Sequence, residues 1–185
     1  MSKLFYIIGA SGAGKDTLIN YARKQLDGAE GVIFAHRYIT RPPFAGSENH
    51  VSLSKEEFQQ RIKSNLFALH WESHGNFYGI GREIDTWIEN GFNVVVNGSR
   101  AYLPVARQIY PEMEVVLITA SEEAINQRLV NRGREDAGEI KKRIARTSEI
   151  SADLENCKKI QNDSAVEDAG DKLINVISLT QKHYI

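Results

Sequence analysis

Residues 9–17 read Gly9-Ala10-Ser11-Gly12-Ala13-Gly14-Lys15-Asp16-Thr17 and follow directly on the apolar run Leu4-Phe5-Tyr6-Ile7-Ile8. Leu18, Ile19, Ala22 and Leu26 then recur at the spacing of one helix face. An apolar strand joined to an amphipathic helix through so short a segment leaves few folds open, because the chain must turn sharply at the edge of the core. Glycine permits that turn, and it leaves no Cβ between the backbone N–H groups and whatever they surround. The G-x-x-x-x-G-K spacing also sets a lysine at the start of the helix, where the helix dipole already favours an anion. Strand, glycines, lysine and helix together predict a loop, residues 9–17, that wraps the phosphates of a nucleoside triphosphate. Lys15, expected to be exposed in the empty loop, would reach the outer phosphates.

The position after the lysine departs from the usual pattern. Ser or Thr commonly stands there and its hydroxyl ligates Mg²⁺, whereas this chain has Asp16. A carboxylate also suits a hard, oxygen-seeking cation, directly or through water, which makes Asp16 a candidate Mg²⁺ ligand. The alternative is that its charge only favours the first turn of the helix. Thr17 is placed to reach a phosphate.

Short β-branched or aromatic runs recur at Lys3–Ile8, Val32–His36, Phe92–Asn97 and Met113–Thr119. Helical patterns separate them at Lys15–Leu26, Ser54–Ser64, Arg82–Asn90, Ala101–Ile109, Ser121–Arg132, Glu139–Ile150 and Ala165–Thr180. Ser54-Lys55-Glu56-Glu57 is a capping box that marks a helix start. Val94-Val95-Val96 and Val115-Val116-Leu117-Ile118 are apolar without alternation, as expected of strands buried on both faces in a parallel sheet. Strands alternating with helices predict an α/β, three-layer fold with a central parallel sheet.

At 185 residues, 42% of them hydrophobic, the chain suits one domain with a sizeable core. Two segments break the rhythm: the polar, Gly- and aromatic-rich 37–81 and the RGREDAG stretch 132–138. The expected organisation is a single domain with its core in 1–36, 82–131 and 139–185, a flap over 37–81 and a lid over 132–138. Net charge is −1, so no global field recruits nucleic acid or an anionic membrane. One cysteine, Cys157, excludes an internal disulfide and suits a reducing compartment, with a packing role expected for the thiol. No apolar run approaches a bilayer span, and the N-terminal apolar stretch runs straight into the loop. A cytoplasmic location follows as the expectation.

Arginine placement is the second signal. Arg128 and Arg132 are four apart on one predicted helix, Arg134 follows in the RGRED stretch, and Arg143 and Arg146 lie one turn apart on the next helix. Planar guanidinium forks around a loop match a phosphoryl group in transfer, whose charge is spread over its oxygens. The alternative is a solvated basic face paired with Glu135, Asp136 and Glu139. The phosphate loop favours the lid.

With these motifs the chain resembles guanylate kinases and their relatives over nearly its whole length. Thr40-Arg41-Pro42-Pro43-x-Ala45-Gly46 is similar to the TRxPRxGE segment of their flap. Gly75-Asn76-Phe77-Tyr78-Gly79 is similar to their GNxYG motif, and Arg128-Leu129-x-x-Arg132-Gly133 followed by Arg143 to their lid. The resemblance implies a P-loop kinase fold, ATP as donor with Mg²⁺, and Lys15, Arg128, Arg132 and Arg143 as the catalytic cations. It also implies Arg41 and Tyr78 as ligands of the acceptor's phosphate.

Four departures bear on the acceptor. The second flap arginine is Phe44, the glutamate that reads the guanine edge is Leu69, the serine after GNxYG is Ile80, and the acidic ILDID strand end is Val96-Asn97-Gly98-Ser99-Arg100. A leucine cannot accept a hydrogen bond from a base, and a lost contact of this kind removes orders of magnitude of selectivity. GKD in the loop, HRYITRP with GSENH, and VNGSRAYLP resemble instead the ribose 1,5-bisphosphate phosphokinases, guanylate-kinase-like enzymes of phosphonate utilisation that make 5-phosphoribosyl 1-diphosphate. A sugar with two phosphates and no base would need further cations. Arg37 and Arg100 are expected to supply them, with His50 and Asn97 on the ribose hydroxyls. These four placements come from position in the flap and strand end alone.

His36, His70 and His74 lack converging metal-ligand spacing and are read as non-metal. No general base is needed, because a phosphate acceptor is already anionic at neutral pH. The expected partners are small molecules, ATP and a phosphorylated ribose, with no nucleic acid or membrane. The competing readings are a nucleoside-monophosphate kinase of altered base preference and a non-catalytic guanylate-kinase-like binding domain. Intact Gly12, Gly14 and Lys15 weigh against the second. A GTPase is disfavoured by the lack of an [N/T]KxD motif.

Overall fold

The computed structural model of the chain describes residues 2–42, 50–132 and 156–178. Strand β1 (Leu4–Gly9) lies at the centre of a five-stranded sheet with all neighbours parallel. Its order is β2 (Val32–Phe34), β7 (Asn93–Asn97), β1, β8 (Glu114–Thr119), β9 (Lys158–Gln161). Helix α1 (Lys15–Gln25) follows β1, and the last described helix, α6 (Val166–Ser178), packs beside it.

Alternate residues of the central strands serve two different cores. Phe5, Ile7, Val95, Val116 and Ile118 join Leu18, Ile19 and Ala22 of α1 and Leu173 and Ile177 of α6. Tyr6, Ile8, Val94, Val96, Val115 and Leu117 join Ile84 of α3 (Glu83–Glu89) and Leu103 and Ala106 of α4 (Leu103–Ile109) on the other side. Each fully buried side chain of this kind contributes roughly 1.5–3 kcal/mol, so burial on both faces fixes the sheet's place between two helical layers. The expected three-layer α/β architecture is what forms.

Four strands outside the central sheet form a second sheet ordered β4 (His50–Ser52), β3 (Arg37–Ile39), β6 (Asn76–Gly81), β5 (Phe67–Ser73). Helix α2 (Lys55–Lys63) covers it by stacking Phe58 on Phe67 and Phe77. The Glu57 N–H donates to Ser54 Oγ at 3.0 Å, so the expected N-cap forms. The Glu57 carboxylate instead accepts from Arg61 at 2.6 Å, so the capping box closes on one side only.

Strand β9 carries no strand pattern of its own, because Lys-Lys-Ile-Gln is short and polar. It is a strand because β8 offers it an edge, and Ile160 alone enters the core. Helix α4 begins at Leu103 rather than Ala101, with Pro104 in its first turn, where a missing N–H costs nothing. Helix α5 (Glu122–Arg132) ends where the expected lid starts. Residues 133–138 of that lid, Arg143, the helix expected over 139–150 and the flap segment 43–49 lie outside the described residues. Among the described residues no helix is long and apolar enough to cross a membrane.

Candidate active site

Parallel strands β1 and β7 both end at one edge of the central sheet, the place where open α/β sheets bind ligands. A cavity of about 410 Å³ opens there, between the sheet's edge and the 37–81 segment. The loop after β1 forms one wall. Gly12 and Gly14 both sit at φ +86°, a region that disfavours other residues. A Cβ on Gly14 would come within 2.3 Å of Asn162 Nδ2. That amide donates to the Ala13 carbonyl at 2.8 Å and pins the loop from behind.

Lys15, Asp16, Arg37, Arg41, Tyr78 and Arg100 all line the cavity, brought together from four separate stretches of chain. Among the described lining residues are four cations and one carboxylate, so that lining is net positive although the chain carries a net charge of −1. That field suits phosphate.

Lys15 differs from expectation. Its side chain is only 13% exposed, and its ammonium donates to Asn97 Oδ1 and, at 3.4 Å, to Asp16 Oδ1. Asp16 also accepts from Asn97 Nδ2 at 2.6 Å and stands 3.6 Å from the Arg37 guanidinium. Burial raises the pKa of this carboxyl, but Lys15, Arg37 and the hydrogen bonds outweigh it and hold the pKa at about 2. Asp16 is therefore ionised. Arg100 is half-buried, which lowers its pKa, yet a guanidinium stays charged at neutral pH.

The other sequence-singled residues lie elsewhere. Thr17 is exposed on α1, and Ala13 is turned to the back of the loop. Asn97 is engaged with the loop rather than lining the cavity. His50, on β4, is not a lining residue; among the described residues neither ring nitrogen has a hydrogen-bond partner. Arg128 stands behind the loop, donating to the carbonyls of Asn162 at 2.8 Å and Ala13 at 3.4 Å. Arg132 ends α5, and its side chain lies outside the described atoms.

The structure adds residues that the motifs did not mark. Trp71, Ser73 and His74 line the flap side, and Ser99 the turn after β7. Leu69, Trp71 and Ser73 alternate along β5 toward one face, so a period-two reading of that run would have found them. Ser99 is fixed by Tyr6, whose hydroxyl accepts from the Ser99 N–H at 3.0 Å and donates to its carbonyl at 3.2 Å. Burial pushes the Tyr6 hydroxyl up to about 12, so it stays protonated and keeps that donor. Cys157 is half-buried and lies away from the cavity; burial raises its pKa, which suits packing rather than nucleophilic chemistry.

The guanylate kinase family model matches residues 1–180. The chain belongs to the guanylate kinase family. Within it, the chain is 49% identical over 176 residues to the ribose 1,5-bisphosphate phosphokinase PhnN of Thiobacillus denitrificans, covering 95% of this chain and 93% of that one. It is 52% identical over 177 residues to the PhnN protein of Desulfomicrobium baculatum, covering 96% and 95%. The crystal structure of guanylate kinase from Anaplasma phagocytophilum superposes with a TM-score of 0.66 at 16% identity, over 98% of this chain and 87% of that one. That likeness carries the guanylate-kinase fold, and the family resemblance read from the motifs is borne out.

Proposed function

We propose that this protein is a kinase that transfers the γ-phosphoryl group of ATP to the 1-phosphate of α-D-ribose 1,5-bisphosphate, giving 5-phosphoribosyl 1-diphosphate and ADP, in phosphonate utilisation. One observation carries the acceptor choice. The flap positions where the guanylate-kinase resemblance implies base reading are Leu69 and Ile80, both 0% exposed and hydrocarbon, while Arg37, Arg41 and Arg100 line the cavity. A pocket with cations and no base reader fits a base-free acceptor with two phosphates. Identities of 49% and 52% to PhnN proteins over nearly the full chain support the same reading.

In this reading Lys15 and the backbone N–H groups of residues 9–14 hold the β- and γ-phosphates of ATP. Arg41 and Tyr78 hold the acceptor's reacting phosphate, and Arg37 and Arg100 its second one. An oxygen of the 1-phosphate attacks the γ-phosphorus as the bond to the ADP oxygen breaks. The acceptor oxygen is already anionic, so positioning and charge do the catalytic work. Arg132 and Arg143 close over the transferred group, and Arg128 holds the loop from behind.

The family implies Mg²⁺, and the donor chemistry fits it. Asp16 is an ionised, one-third exposed carboxylate at the loop's mouth. No group of three or more acidic, His or Cys ligands gathers among the described residues. Asp16 would therefore hold the ion together with substrate phosphates and water, as Mg²⁺ prefers. Held there, Mg²⁺ would supply neutralising charge to the phosphates.

The test is ADP release from ATP with a panel of phosphorylated acceptors. Ribose 1,5-bisphosphate is expected to be converted to 5-phosphoribosyl 1-diphosphate, identified by mass spectrometry, with GMP a very poor substrate. Efficient turnover of GMP and none of ribose 1,5-bisphosphate would restore the nucleoside-monophosphate kinase reading.

A further inference from the structure

The aromatic side of the cavity is occupied by the protein's own rings. Trp71 and Tyr78 stand directly opposite each other on β5 and β6, and their rings stack at 5.6 Å with planes 4° apart. Tyr102, at the entry to α4, stacks on the same indole at 5.5 Å and 28°. The Arg37 guanidinium lies 5.7 Å from the Tyr78 ring centre. Trp71 is 9% exposed, and it lines the cavity. Two residues along the same strands Leu69 faces Ile80, and both are 0% exposed in the cluster that contains Trp71.

A nucleobase needs flat apolar surface to stack on and in-plane donors or acceptors for its edge. Here the flat surfaces are covered by one another, and Leu69 and Ile80, two residues along the strands, offer only hydrocarbon. Indole and purine are both fused five- and six-membered rings of nearly the same outline. We propose that Trp71 is a specificity-determining residue: its indole fills a purine-shaped slot in the flap, so the protein occupies with its own side chain the space a nucleoside monophosphate's base would take. The open cavity beside it takes the phosphate and sugar of an acceptor, and the filled slot excludes a base. The inference rests on the acceptor site lying between the loop and the flap, as proposed above.

The gain of nucleotide binding on emptying the slot is the test. Trp71→Ala and Trp71→Leu are titrated calorimetrically with GMP and AMP, with and without added indole, and with ribose 1,5-bisphosphate in parallel. Trp71→Ala is expected to bind at least one nucleotide roughly tenfold or more tightly than wild type, with Trp71→Leu between them and indole competing for the emptied slot. Ribose 1,5-bisphosphate affinity is expected to change less than nucleotide affinity. Folding is checked by far-UV circular dichroism and by retained ATP binding. Leucine keeps the core covered, so it decides the matter if the alanine variant does not fold. Folded variants that bind GMP and AMP no better than wild type would overturn the slot, as would a gain that indole leaves untouched. If wild type neither binds nor phosphorylates ribose 1,5-bisphosphate, the proposed acceptor falls, while the slot is still decided by nucleotide binding in the variants.

Discussion

Asn97 Nδ2 donates to Asp16 Oδ1 at 2.6 Å, while the same amide's oxygen accepts from Lys15. One neutral side chain thus bridges the loop's cation and its anion and ties the end of β7 to the start of α1. P-loop proteins commonly place a hydroxyl after the lysine and a carboxylate on a neighbouring strand. Here the carboxylate is on the helix, and the strand end carries an amide.

Asn97→Ala removes both hydrogen bonds and leaves Lys15 and Asp16 partly buried without their bridge. A stability loss of about 1–3 kcal/mol is expected, read from urea unfolding. Unchanged midpoint and slope would show that the amide does not hold the loop.

Asp16 gives a signed pH dependence. Its folded pKa, about 2, lies below the ordinary 3.8, so its contribution is present above 3.8 and is lost as pH falls through about 2. The stability gap between wild type and Asp16→Asn should be flat across neutral pH and close in acid. Asp16→Asn should also weaken Mg²⁺ more than Asp16→Glu, measured by Mn²⁺ titration followed by electron paramagnetic resonance. Identical titrations for wild type and Asp16→Asn would reduce the carboxylate to a helix-dipole role.

Lys15→Ala is expected to lower kcat by at least about a hundredfold, because a charge partner of the transferred group is gone. The fold should persist, since Arg37 still faces Asp16 at 3.6 Å. Retention of wild-type kcat would mean that this loop is not the catalytic one.

Arg132→Lys should not be conservative, because an ammonium cannot reproduce a two-pronged fork. A large fall in kcat with a modest change in acceptor KM is expected from steady-state kinetics. A variant altered in melting temperature alone would support a solvated basic face instead.

The phosphate loop, the two-faced strands and the capped flap helix are legible in the chain alone, because each is encoded within a few residues: glycines at fixed spacing, continuous valines, Ser54 three positions before Glu57. The family resemblance was legible for the same reason. Tertiary structure alone decided what those residues meet. Strand order sets β7 beside β1, which delivers Asn97 to Asp16 across 81 positions and partly buries a lysine expected to be exposed. It places Arg128 behind the loop, makes a strand of Lys158–Gln161 by offering it an edge, and collects four cations from a chain of net charge −1. The stack of Tyr102 on Trp71 likewise joins residues that no local pattern links. Periodicity reports only which face of an element is buried; contacts between distant elements follow from how the sheet is wound, and that is settled by packing the whole core at once.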